Sequence, residues 1–196
     1  MAFAFVFPGQ GSQSLGMMKG FADDASLRQT FEEASAALGQ DLWAMCQEGA
    51  DAAVINATVN TQPLMLTAGV AIFRAWQTAG GALPAVAAGH SLGKYTALAA
   101  AGSIAFADAV KLVRLRAEAM QSAVPEGQGA MAAILGLDDA VIVASCAEAA
   151  QGEVVEAVNF NSQGQVVIAG SKAAVERAMA ICKDKGAKRA LPLPVC

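Results

Sequence analysis

The stretch Gly89-His90-Ser91-Leu92-Gly93 constrains this chain more than any other. An apolar run, Ala85–Ala88, leads into it, and an alanine-rich helical pattern from Lys94 to Gly102 leads out. Strand, sharp turn and helix form the context in which G-x-S-x-G becomes a nucleophile elbow. Glycines at 89 and 93 let two backbones approach closely, so the turn can lift Ser91 Oγ clear of the sheet. Ser91 then lies near a helix N-terminus, where free amides and the helix dipole favour the negative charge of an acyl-transfer oxyanion. The same pentapeptide also fits an ordinary glycine-bounded turn with Ser91 as a helix cap. The rest of the chain has to decide between them.

Composition narrows the function classes. The 196 residues suffice for one good-sized domain or two small ones. With 55% hydrophobic and only 15% charged residues, the chain either buries much surface or keeps apolar surface for a partner. No run approaches the roughly eighteen apolar residues of a membrane span, and the start, Met1-Ala2-Phe3, lacks the basic region of a signal peptide. A net charge of -4 with no basic run argues against nucleic acid. Cys46, Cys146, Cys182 and Cys196 form no C-x-x-C, and the chain has one His, so a metal site is not expected and a reduced, cytoplasmic setting is the default.

In chain order, residues 2–7 read as a buried strand ending at Pro8, followed by the loop Gly9-Gln10-Gly11-Ser12-Gln13. The loop is no P-loop, because no Gly-Lys-Ser/Thr follows, and Ser14 stands where a dinucleotide fingerprint needs its third glycine. Residues 26–38 predict an amphipathic helix capped by Ser26, with Leu27, Phe31, Ala34 and Leu38 inward and Gly39 as its stop; a looser segment holds Leu42, Trp43 and Met45. Residues 61–79 predict a strong helix with Pro63 in its first turn and a stripe of Leu64, Ala68, Ala71 and Ala75. From Phe106 to Ser122 another helix carries Phe106, Ala109, Val110, Val113, Ala117 and Met120 on its apolar face. Arg116 lies roughly 60° from the centre of that face, leaning inward, and Arg114 roughly 100° away, toward water. An inward guanidinium calls for a carboxylate or phosphate, unless it snorkels to the surface or pairs with an internal acid.

Pro125-Glu126-Gly127-Gln128-Gly129 is a natural boundary. Beyond it the pattern reads strand 130–135, helix 138–150, strand 154–160, turn 161–164, strand 165–169, helix 171–183 capped by Ser171, and strand 188–193. That is the β-α-β-β-α-β order of a ferredoxin-like unit.

Acyl transfer by serine needs a base, an oxyanion hole and an acyl pocket. Ser91 is the nucleophile candidate, the Leu92 amide the first oxyanion donor, and the Gly9–Gln13 loop the source of the second. His90 is the one histidine, and as the immediate neighbour of Ser91 it points away from it, which suits steadying the elbow better than acting as base.

These pieces together resemble the malonyl-CoA:acyl-carrier-protein transacylases of bacterial fatty-acid synthesis over the whole chain. The resemblance rests on Phe7-Pro8-Gly9-Gln10-Gly11-Ser12-Gln13, Asn60-Thr61-Gln62-Pro63, Gly89-His90-Ser91-Leu92-Gly93, Arg116 with Met120 and Gln121, and Asn159, Asn161 and Gln165–Gly170. It implies an α/β-hydrolase-like larger subdomain, begun by residues 1–124 and incomplete here, with an inserted ferredoxin-like small subdomain at 125–196. It implies a ping-pong transfer: Ser91 takes malonyl from malonyl-CoA as an ester, and the pantetheine thiol of acyl carrier protein receives it, with no cofactor. The Gln10 and Leu92 amides would hold the oxyanion. Arg116 would pair with the free carboxylate and select malonyl over acetyl. Gln62, His90, Met120 and Asn161 would line the substrate site.

Two departures stand out. Lys94 occupies the position after the elbow glycine where the family usually has Glu, a charge reversal near a helix N-terminus. Family members also carry the catalytic His shortly after a Pro-Val pair, whereas Pro194-Val195-Cys196 closes this sequence. The expectation is a fragment of a longer transacylase, ahead of half of a two-chain assembly or a truncated protein, with the base supplied by a C-terminal segment or second chain and 1–196 alone impaired. The rival readings are a polyketide-type acyltransferase, a serine hydrolase, and a non-catalytic module that binds acyl carrier protein.

Overall fold

In the computed structural model, which describes residues 2–125 and 127–193, the chain forms two compact units, Met1–Gln121 and Ser122–Cys196. The reading of Pro194–Cys196 lies outside the described residues.

The first unit starts with β1 (Ala4–Phe7), paired in parallel with β2 (Val86–Gly89) in the register Ala4↔Val86 to Phe7↔Gly89. Strand alternation sends Phe5 and Phe7 to one face, against Phe73 at ring distances of 5.5 and 6.5 Å. The opposite face is open: Val6 is 74% and Val86 62% exposed. The expected buried strand at 2–7 is therefore buried on one face only.

Between the strands lie α1 (Ala25–Leu38), α2 (Leu42–Met45), α3 (Ala52–Asn56) and α4 (Thr58–Thr78). The cap of α1 is Asp24, not Ser26: Asp24 Oδ1 accepts from the Leu27 amide at 3.0 Å, and Ser26 Oγ donates to the same oxygen. Carboxylates cap as well as hydroxyls, and one residue shifts the helix start. Gly39 ends the helix at φ 66°, as its missing Cβ allows. The looser segment at 42–45 is itself a short helix capped by Asp41.

α4 begins three residues earlier than expected, so Pro63 stands inside the helix and not in its first turn. There it removes an amide that would bond the Val59 carbonyl. Nearby anchoring compensates: Thr61 Oγ1 donates to the Ile55 carbonyl at 2.6 Å, and Thr67 Oγ1 to the Pro63 carbonyl at 2.8 Å. The first half of α4 is buried nearly all round, including Thr61, Gln62, Met65, Leu66 and Thr67, so its core face is wider than the predicted stripe.

α5 (Gly93–Ala100) follows β2, and α6 (Phe106–Ser122) follows α5. Phe106, Ala109, Val110 and Val113 of α6 join Leu27, Phe31, Leu42, Leu64, Leu66 and Leu92 in one core. Met120, predicted on that apolar face, is 51% exposed. Arg114 does not reach for water: it is half-buried and donates through Nη2 to Gln40 Oε1.

The second unit is an antiparallel sheet in the order β4-β5-β3-β6, built from β3 (Gly129–Leu135), β4 (Val155–Ser162), β5 (Gln165–Ser171) and β6 (Arg189–Leu193). Helices α7 (Asp139–Ala150) and α8 (Lys172–Asp184) complete the ferredoxin-like order. Ile134, Val166 and Ile168 pack with Ile142, Cys146, Val175 and Ala178. Ser171 stands at the N-cap position of α8, but its side chain makes no capping bond.

Candidate active site

The elbow is set by backbone proximity. A Cβ on Gly89 would fall 1.9 Å from the Gly93 carbonyl carbon, and one on Gly93 would fall 2.2 Å from the Phe7 carbonyl oxygen. Neither contact is possible for a real side chain, so both glycines are required by sterics. Between them Ser91 adopts φ 49°, a left-handed conformation that disfavours residues other than glycine. The turn is closed by Gly93 N–H donating to the His90 carbonyl at 2.8 Å and Lys94 N–H to the Ser91 carbonyl at 3.2 Å. The buried Leu92 side chain anchors it to the core.

Parallel pairing brings the loop after β1 to the same end of the sheet as the elbow. Gly9 packs there against His90: a Cβ on Gly9 would meet the His90 carbonyl oxygen at 2.8 Å and Nδ1 at 3.2 Å. His90 is exposed, and its ring lies on the Gly9 flank. Gln10 Nε2 donates to Thr58 Oγ1 at 3.0 Å, which ties the loop to the start of α4. Among the described residues, the Gln10 and Leu92 amides enter none of the backbone hydrogen bonds of the turns and caps.

Arg116 reaches this elbow from α6. Its Nη2 donates to Ser91 Oγ at 3.2 Å, and its Nη1 to Oε1 of the buried Gln62 at 2.6 Å. Its guanidinium carbon lies 5.8 Å from the centre of the Tyr95 ring, within cation–π range. The inward lean read from helical angles is thus realised, with an amide, a hydroxyl and a ring as its partners and no ion pair among the described residues. Gln62 in turn donates through Nε2 to Met120 Sδ at 3.4 Å. Lys94 stands exposed in the first turn of α5, in no ion pair among the described residues.

Ser91, Arg116, Gln62, Met120, His90, Leu92 and Gln10 therefore gather in the first unit. Asn161 lies on β4 of the second unit, where it is exposed. Sequence reading assigned no role to Tyr95 or Thr58. Tyr95 follows Ser91 by four residues, a spacing that could have pointed to it; Thr58 carries no such signal.

The acyl transferase domain model matches residues 4–192. The chain belongs to the acyl transferase domain family. Among curated acyl transferase relatives, the malonyl CoA-acyl carrier protein transacylase of Escherichia coli (strain K12) is 64% identical over 194 residues, covering 98% of this chain and 62% of the relative. The chain thus spans about 62% of the length of that relative. Its structure is similar to the acyl-carrier-protein S-malonyltransferase of Burkholderia pseudomallei 1710b, with TM-score 0.95 and 65% identity over 100% of this chain and 63% of the other. A malonyl-transacylase solved in complex with its type II PKS acyl-carrier protein matches with TM-score 0.96 and 57% identity, covering 100% of this chain and 63% of that chain. These neighbours share the two-subdomain α/β fold.

Proposed function

We propose that this chain carries the acyl-accepting and acyl-selecting part of a malonyl-CoA:acyl-carrier-protein transacylase. One observation carries the proposal: a half-buried guanidinium, in no ion pair among the described residues, held 3.2 Å from the hydroxyl of a serine on a glycine-tight elbow. Ser91 Oγ attacks the malonyl thioester carbonyl, the carbonyl oxygen gains the negative charge, and the Gln10 and Leu92 amides receive it. Collapse expels CoA thiolate, which takes up the proton given up by the Ser91 hydroxyl, and leaves a malonyl ester on Ser91. The pantetheine thiol of acyl carrier protein then attacks the ester, and Ser91 is regenerated.

Arg116 binds the free carboxylate of the acyl group. An acetyl group would leave the cation without an anionic partner, and selectivity arises from that difference. The named relatives and the carrier-protein complex of a similar structure support malonyl as the group moved and acyl carrier protein as the acceptor. Transfer of this kind uses no cofactor beyond the two substrates and takes place in the cytoplasm. Residues 1–124 act as the first part of the larger acyltransferase subdomain and 125–196 as the small one.

We also infer that no residue among those described serves as an efficient base for Ser91. The one histidine lies on the Gly9 flank of the turn. General-base catalysis is worth roughly 10²–10⁴-fold, so acylation is expected to be slow and onward transfer by 1–196 alone poor. Radiolabelled malonyl-CoA tests the assignment: stable label on Ser91 that Ser91→Ala abolishes is the expected result. A burst of nitrophenyl-ester hydrolysis indifferent to Arg116→Ala would favour a serine hydrolase instead. Turnover at the level of a full-length relative would overturn the inference about the base.

A further inference from the structure

Gln62 is fully buried, and a buried primary amide must satisfy a carbonyl and an NH2 group. Its Oε1 accepts from Arg116 Nη1 at 2.6 Å, and its Nε2 donates to Met120 Sδ at 3.4 Å. A guanidinium only donates and a thioether only accepts. The two neighbours therefore fix which end of the amide faces which side, whatever the formal assignment of oxygen and nitrogen. A flipped amide would set NH2 against the cation and a carbonyl lone pair against sulfur. Met120 follows Arg116 by four residues on α6, so both lie on one helical stripe and flank the same amide. Burial does not hold Met120 in place, since half its surface is exposed.

We propose that Met120 is a positioning residue: its sulfur holds the Gln62 amide, and the Gln62 carbonyl aims Arg116 at the place of the acyl carboxylate. The role rests on the transacylase reading for its consequence. With Nη1 held by Gln62 and Nη2 at Ser91 Oγ, the guanidinium plane is fixed relative to the nucleophile. Loss of the sulfur frees the amide to rotate, and Arg116 loses the anchor that sets its plane. Ser91 and the oxyanion amides are untouched, so the effect falls on malonyl KM and on selectivity more than on kcat.

A methionine can also serve as plain apolar filling, and two variants separate the roles. Met120→Leu keeps the bulk and removes the acceptor; Met120→Gln disturbs apolar packing and supplies an acceptor oxygen. Two readouts apply: the ratio of malonyl to acetyl acylation of Ser91, and the side-chain amide resonances of Gln62. Met120→Leu is expected to lower the ratio about tenfold, the scale of one hydrogen bond, and to shift the Gln62 resonances. Met120→Gln is expected to stay within about threefold of the unmodified protein, because the bond is replaced. A native ratio and unshifted resonances in Met120→Leu would overturn the proposal, as would a native Leu variant with a damaged Gln variant. If the unmodified protein accepts neither acyl group, the transacylase reading fails. The Gln62 resonances then decide the role of Met120 alone, and no shift in Met120→Leu refutes it.

Discussion

At Arg116 a single side chain joins three elements: α6 carries it, α4 supplies Gln62, and the elbow supplies Ser91. Such a cation is costly to hold without an anion, and under the proposed function the substrate carboxylate would supply one. Arg116→Ala is therefore expected to lower malonyl kcat/KM about 10- to 100-fold, the scale of hydrogen bonds to a charged group, with acetyl transfer much less affected. Steady-state acylation with both thioesters measures the split. The cysteines behave differently. Burial pushes the Cys46 and Cys146 thiols up to about 11 and raises Cys182 as well. Their folded values lie above the unfolded value of 9.0, so the associated stability is complete below pH 9 and lost as pH rises through 11. Alkylation at pH 8 should be slow for these three in the folded protein and fast in denaturant; equal rates would show that the thiols are accessible.

At the scale of elements, the turn between β2 and α5 is the most demanding piece. Gly89→Ala places a methyl inside the Gly93 peptide, and Gly93→Ala places one on the Phe7 carbonyl. Each is expected to cost about 3 kcal/mol and to lower the midpoint of chemical denaturation, whereas Gly49→Ala, with open space around it and no positive φ, should cost less. A Gly89→Ala protein as stable as the unmodified one would contradict the close approach described here. The glycine pair was legible because G-x-S-x-G between a strand and a helix leaves few other uses for it. The inward lean of Arg116 was legible from helical periodicity. The error at Arg114 is physical: periodicity gives an angle around one helix, but not that Gln40 from the α1–α2 connection comes within reach. The cap of α1 was misplaced because Asp24 and Ser26 are both good capping residues, and their competition is settled by backbone geometry. The early start of α4 was hidden because Ala57 at its N-cap offers no capping side chain.

Across the whole molecule, sequence order alone gave away the β-α-β-β-α-β unit, since its strands are short and separated by turn residues and helical patterns. The first unit was harder to read, because its strands β1 and β2 are far apart in sequence and only pairing shows that Gln10 and Ser91 share one end of the sheet. That pairing brings two scattered motifs, the Gly9–Gln13 loop and the Gly89–Gly93 turn, to one end of the sheet. The central claim is that Ser91 accepts an acyl group chosen by its carboxylate. Incubation with equal malonyl-CoA and acetyl-CoA, followed by peptide mapping by mass spectrometry, tests it most directly. The account predicts malonyl on the Ser91 peptide in clear excess over acetyl, with the excess lost in Arg116→Ala and all label lost in Ser91→Ala. Acyl groups on another residue, or equal malonyl and acetyl on Ser91, would contradict it.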